Sequence, residues 1–169
     1  MVHVGCNSIY QTPSNYTKLA KIMAKSSGKD ALAVLSKLRG DYGRDGEANL
    51  HAAIAESLIL KDMGRDKDAR KAYAEAVSLF GTCTDKTFKD VAVEMANICM
   101  AQGDKEKGLS LFRDWVQNHH EDKELLAQVQ DVFGAVGIAA EGQEMINTAI
   151  KEVVDLNNTG TQLARAGKL

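Results

Sequence analysis

Apolar and polar positions recur through most of this chain at steps of three and four residues, the period that lays one stripe along an α-helix. "MGRDKDARKAYAEAV" (63–77) and "QGDKEKGLSLFRDWV" (102–116) carry the pattern twice in nearly the same form. In each, a Gly is followed five residues on by a small residue (Ala69, Gly108) and nine on by an aromatic (Tyr73, Phe112). From Gly64 a large residue, Leu60, stands four back, Ser57 seven back and Ala76 twelve ahead. From Gly103 the same offsets give Cys99, Ala96 and Trp115; from Gly137 they give Phe133, Gln130, Gly142, Ile146 and Ala149. Ser26 serves as a first ruler, with Ile22 behind it and Ala31, Leu35 and Leu38 ahead. Gly167 closes the series over Leu163 and Gly160, so the spacings are 38, 39, 34 and 30 residues.

The offsets have a physical cause. Each unit reads as two amphipathic helices joined by a tight turn, with the Gly supplying the left-handed backbone that ends the first helix. Small residues on either side of the turn let the two helices approach, and a large one fills the groove between units. A single pair cannot bury its own apolar face, whereas several stacked pairs make a continuous core. The units fall at about 15–45, 50–83, 89–120, 123–154 and a partial 155–169. Residues 1–14 read as an irregular N-terminal linker. The expected fold is all-α, a right-handed solenoid of stacked antiparallel pairs with about nine helices.

Composition agrees with helices. Of 169 residues, 44% are apolar and 26% charged, and the single proline, Pro13, lies near the start. The net charge of −2 gives no bulk attraction for nucleic acid. It hides an asymmetry, because residues 16–44 sum to +5 and residues 121–155 to −6. Cys6, Cys83 and Cys99 are odd in number and widely spaced, which reads as reduced thiols. Without an apolar run of membrane length or a signal peptide, the expected location is the cytoplasm.

Candidate chemistry is sparse. His119-His120-Glu121-Asp122 has metal-binding residue types, but adjacent histidines diverge by about 100° on a helix, so a polar loop is the expected reading. His3 and Cys6 allow at most an adventitious contact. Gly160 to Lys168 has the wrong spacing for a phosphate-binding loop. Cys99 occupies a large apolar offset and reads as core. Lys18, Lys21, Lys25 and Lys29 form a stripe on one helix face, read first as a solvated face and second as a site for an acidic peptide or nucleic acid. No catalytic constellation stands out, so no enzyme and no cofactor or metal are expected.

The turn-Gly, small, aromatic, small spacing resembles the tetratricopeptide repeat family over roughly Asn15 to Leu169, most closely in the two middle units. The closing "LNNTG" and following Gly resemble, more faintly, helical repeats that follow receiver domains in some bacterial response regulators. The departures are the missing Pro at the close of each repeat, and Ala53, Glu56, Ala92 and Met95 where the family has Trp and Leu. The resemblance implies a non-catalytic scaffold, with first helices lining a concave groove that takes a helical or extended peptide, in a bacterial signalling or assembly protein. By the family's inner-face offsets the groove would present His51, Ile54, Leu58, Lys61, Val93, Asn97, Met100, Asp131 and Asn157. Only Lys61 and Asn97 suit a carboxylate clamp, so an apolar helix face fits better. The alternative is self-association, through an exposed end of the array or by its basic and acidic ends. Nucleic-acid binding by the first unit ranks last.

Overall fold

A computed structural model describes residues 12–166, and these are helical throughout, with no strand among them. Eight helices follow one another: α1 (Pro13–Ala24), α2 (Gly28–Tyr42), α3 (Gly46–Asp62), α4 (Asp66–Phe80), α5 (Asp85–Ala101), α6 (Lys105–Asn118), α7 (Lys123–Ala135) and α8 (Ala139–Arg165). The chain divides after Gly103 into two compact units, one holding α1 to α5 and the other α6 to α8.

Local sequence sets the helix ends. Gly64, Gly103 and Gly137 all have positive φ, as the ruler requires. After Gly64 the chain closes with Arg65 N–H donating to the Leu60 carbonyl at 2.9 Å and Gly64 N–H to Lys61 at 2.9 Å. Those bonds satisfy carbonyls a helix end would otherwise leave bare. Gly43 supplies a further left-handed turn, between α2 and α3. At Ser26 no such turn exists: α1 ends at Lys25 in right-handed conformation, and the Ser27 hydroxyl caps α2 by accepting from Asp30 N–H. Thr12, Asp45, Thr84 and Asp122 cap α1, α3, α5 and α7 in the same way. Of the four helices that follow a left-handed glycine, only α3 has a side-chain cap, and α4, α6 and α8 have none.

In the first unit α3 is the hub, packing on α1, α2, α4 and α5. Ala48, Ala52, Ala55 and Ile59 join Tyr16, Ala20, Leu35 and Leu38 in one core. Small residues on α3 admit these neighbours, and Phe80 against Phe88, centroids 5.5 Å apart, closes α4 onto α5. Arg39 of α2 ties three helices together. Its guanidinium donates to Glu56 of α3 and to Glu75 of α4 as a bidentate fork, and also to Asn49. All its donors are used. Burial opposes its charge, but the two carboxylates outweigh that cost and raise its pKa.

In the second unit α8 packs on both α6 and α7. Phe112 meets Phe133 edge-on at 5.1 Å, and Gly142 lies so near Phe133 that an added Cβ would stand 2.5 Å from ring atoms. That closeness is why the position five past the turn is small.

The ruler succeeds in the second helices and fails in parts of the first. Ala31, Leu35, Leu38, Ala69, Ala76, Gly108, Phe112, Trp115, Gly142, Ile146 and Ala149 are all buried, while Tyr73 is only half-buried. Ile22, however, is 65% exposed, and Gln130 is exposed too. With no left-handed residue at Ser26, α1 reaches its turn in a different register. Within its unit α7 packs only on α8 and α6, so nothing there covers the Gln130 side.

Three further expectations are corrected. The helix count is eight among the described residues, not about nine. The break expected between 154 and 155 is absent: α8 runs unbroken for 27 residues, because none of Asn157, Asn158 and Gly160 adopts the left-handed backbone that would stop it. The lysine stripe is not on one helix, since Lys25 caps α1 and Lys29 begins α2. The Gly167 turn, His3, Cys6 and most of the 1–14 segment lie outside the described residues.

Candidate functional site

Sequence spacing puts His51, Ile54, Leu58 and Lys61 on one face of α3, and Asp90, Val93, Asn97 and Met100 on one face of α5. The two helices pack side by side in the first unit, and His51 and Ile54 of α3 line a common hollow with Asp90 of α5. Val93 is 41% exposed, Asn97 is exposed, and Leu58 and Met100 are half-buried. Lys61 is also half-exposed and forms an ion pair with Asp66 at 2.7 Å.

His51 and Ile54 differ from their expected placement. They are 8% and 2% exposed, so they belong to the floor of that hollow and not to an open face. The reason is α1, which packs on α3 and places Thr17, Lys18 and Lys21 beside them. Asp131 on α7 and Asn157 on α8 are exposed in the second unit.

Two adjoining hollows open where α1, α3 and α5 meet, sharing Ser14, His51 and Asp90 in their walls. The smaller holds about 70 Å³ and is lined by Ile54, Lys21 and Glu94 among others. The larger holds about 250 Å³ and reaches Thr12, Glu47 and Thr87. Polar bonds fix its rim. Glu47 accepts from Thr87 Oγ1 at 2.6 Å and from Thr84 N–H at 3.1 Å, and these bonds hold its carboxyl below the usual range. Lys21 of α1 reaches Glu94 of α5 at 2.7 Å. Burial pushes the His51 imidazole below its ordinary value of 6.5, against the pull of Asp90, Glu94 and Glu47. The ring is therefore neutral at pH 7.

The carboxylates Glu47, Asp90 and Glu94 have no joint signal in the repeat pattern, because their meeting depends on how α1, α3 and α5 pack. Only Asp90 stands at an inner-face offset.

In the second unit a separate cleft of about 380 Å³ lies between α6 and α8, floored by Leu109 and Met145. Its two cations are paired within the unit, Lys105 with Glu141 at 3.4 Å and Arg113 with Glu152, and Glu106 and Glu144 also line it. The His119-His120 motif turns inward. His119 stacks on Trp115 with centroids 4.8 Å apart, and its Nδ1 lies 2.9 Å from the Trp115 carbonyl oxygen. Nδ1 of His120 stands 3.0 Å from the Gln117 carbonyl. Among the described residues no three His, Cys, Asp or Glu side chains converge as metal ligands. Cys99 is buried, and burial raises the Cys83 thiol to about 11, which leaves little thiolate at neutral pH. Of the basic residues in the first two helices, Lys21, Lys37 and Arg39 are each engaged by carboxylates. No described helix is long and apolar enough to cross a membrane.

The described residues thus form an all-α chain of eight helices, with left-handed glycines at four of the turns and two adjoining hollows on the first unit. No family model, curated protein or solved structure matches it.

Proposed function

We propose that the chain is a non-catalytic interaction module of tetratricopeptide type, a solenoid whose first helices take a helical or extended peptide. The reading rests on one observation: on the packed helices α3 and α5, Val93 and Asn97 are exposed and Leu58 and Met100 are half-buried. Apolar side chains half-open to solvent beside an amide that can align a ligand suit a peptide with an apolar face. Met adapts its shape to differing partners. Burying Leu58, Val93 and Met100 yields about 5 kcal/mol before ordering costs, at ~1.5–3 each for a full burial. That suits weak, regulated binding in a cytoplasmic signalling or assembly protein of bacterial type.

The test is a random dodecapeptide display on the full chain, followed by titration of an enriched peptide against Val93→Glu. Loss of at least tenfold in affinity with an unchanged melt is expected. Undiminished binding would remove the surface from consideration.

A second reading, self-association, has its own observation. Beyond Ala149, α8 has no buried residue, and Val154, Leu156 and Leu163 are exposed, Leu156 by 72%. Ala149, Val153, Leu156, Gly160 and Leu163 are spaced four and three apart, as in a two-helix seam. Sedimentation of the chain with Leu156→Glu and Leu163→Glu decides it: a dimer that these changes dissociate supports this reading, and a chain that is monomeric without them excludes it.

A further inference from the structure

His51 is more than nine-tenths buried, yet neither ring nitrogen has a hydrogen-bond partner among the described residues. Its nitrogens are not among the fully buried atoms left without a partner, so the ring opens into the space beside it. The ring stands in the wall of both hollows, and Asp90 stands with it. Asp90 is exposed and makes no ion pair or hydrogen bond among the described residues. The neighbouring carboxylates are already used, Glu47 by Thr84 and Thr87 and Glu94 by Lys21. In these walls Asp90 is thus an unspent carboxylate beside an unspent imidazole.

The hollows are lined by three carboxylates and three lysines, so the balance at the ring depends on which of them stand near it. The charges that act most strongly on His51 are those of Asp90, Glu94 and Glu47, against Lys21 alone. Such a place favours a cation and opposes an anion. Lys18 and Lys86 also border the hollows, but they are exposed and are not among those four groups. A volume of about 250 Å³ admits one long side chain and not a folded segment.

We propose that this hollow is the anchor subsite of the peptide surface and takes the cationic end of a Lys or Arg side chain, with Asp90 as counter-charge and the His51 imidazole accepting a hydrogen bond. The proposal rests on the peptide-binding reading of α3 and α5 and adds the chemistry of the partner: an apolar face followed by a basic residue. It is the reverse of a carboxylate clamp, which would need cations here.

The dodecapeptide selection on the full chain tests it. Enriched sequences are expected to share one Lys or Arg beside apolar residues. Changing that residue to Met, or Asp90→Asn in the protein, should each weaken binding at least tenfold, and the two together no more than either alone. Asp90 is exposed, so Asp90→Asn should leave the melt unchanged. Enriched peptides that lose binding on Val93→Glu but carry no common basic residue, or that bind Asp90→Asn undiminished, would overturn the subsite and leave the surface standing. Peptides released by Asp90→Asn but indifferent to Val93→Glu would keep the subsite and discard the apolar surface. No enriched peptide at all would overturn both.

Discussion

In α3, ten of seventeen residues are buried; in α8, four of twenty-seven. Both belong to the same run of repeat spacings, yet α3 packs on four helices and α8 on two. A helix packed on four others keeps little polar surface, so alanines fill its buried part: Ala48, Ala52, Ala53 and Ala55 are each 1% exposed or less. A helix that outruns its neighbours keeps a strict stripe, and the outer part of that stripe stays in solvent. The same repeat grammar therefore writes a closed core in one unit and an open helix end in the other. It also explains where the candidate surface lies. The hollows form where three helices, α1, α3 and α5, meet, whereas the larger cleft of the second unit is lined by two, α6 and α8.

The strongest test of this contrast falls at one shared offset, nine residues past the turn glycine. Phe112 is fully buried against Phe133, so Phe112→Ala should cost roughly 3–5 kcal/mol. Tyr73 is half-buried, with its hydroxyl 3.8 Å from the Cys99 sulfur, so Tyr73→Ala should cost about 1–2 kcal/mol. Urea unfolding measures both, and equal losses would mean the two units fill this offset alike.

Next comes the close approach of α7 and α8. Gly142→Ala gains up to ~1 kcal/mol of helix propensity but drives a methyl into Phe133, for a strain of about 1–3 kcal/mol. Net destabilisation is expected in a thermal melt. At Gly28 the nearest atoms belong to the flexible end of Met63, and Gly28→Ala should stay within about 0.5 kcal/mol. A neutral Gly142→Ala would show that the second unit is packed more loosely than the first.

A weaker effect has the opposite sign. Ser57 is 1% exposed on α3, and its hydroxyl has no hydrogen-bond partner among the described residues. Ser57→Ala should therefore raise stability by about 0.5–1 kcal/mol, read as a higher urea midpoint. A loss would mean the hydroxyl is bonded after all.

Much of this architecture is legible in the sequence. The turn glycines at 64, 103 and 137 and the buried second-helix positions follow from periodicity and from the one residue that accepts positive φ freely. What the sequence hides depends on partners distant along the chain. Ile22 is misplaced by the pattern because Ser26 resembles a turn residue but makes no such turn. The continuity of α8 is hidden because Asn and Gly close together read as a break, although a helix tolerates them where nothing forces a turn. His51 and Ile54 look presentable on α3 alone, and only the packing of α1 turns them into a floor. Asp90 is visible at its offset, but its meeting with His51 needs three helices in space.

Everything proposed here for recognition requires that the first unit, and not the open end of α8, receives the partner. The decisive measurement is titration of a selected peptide into isotope-labelled full chain, followed by backbone amide shifts. Saturable shifts are expected along residues 51–61 and 90–100, with residues 150–165 unmoved. Shifts confined to 150–165, with the α3 and α5 faces silent, would contradict that assignment and place recognition on the exposed stripe of α8.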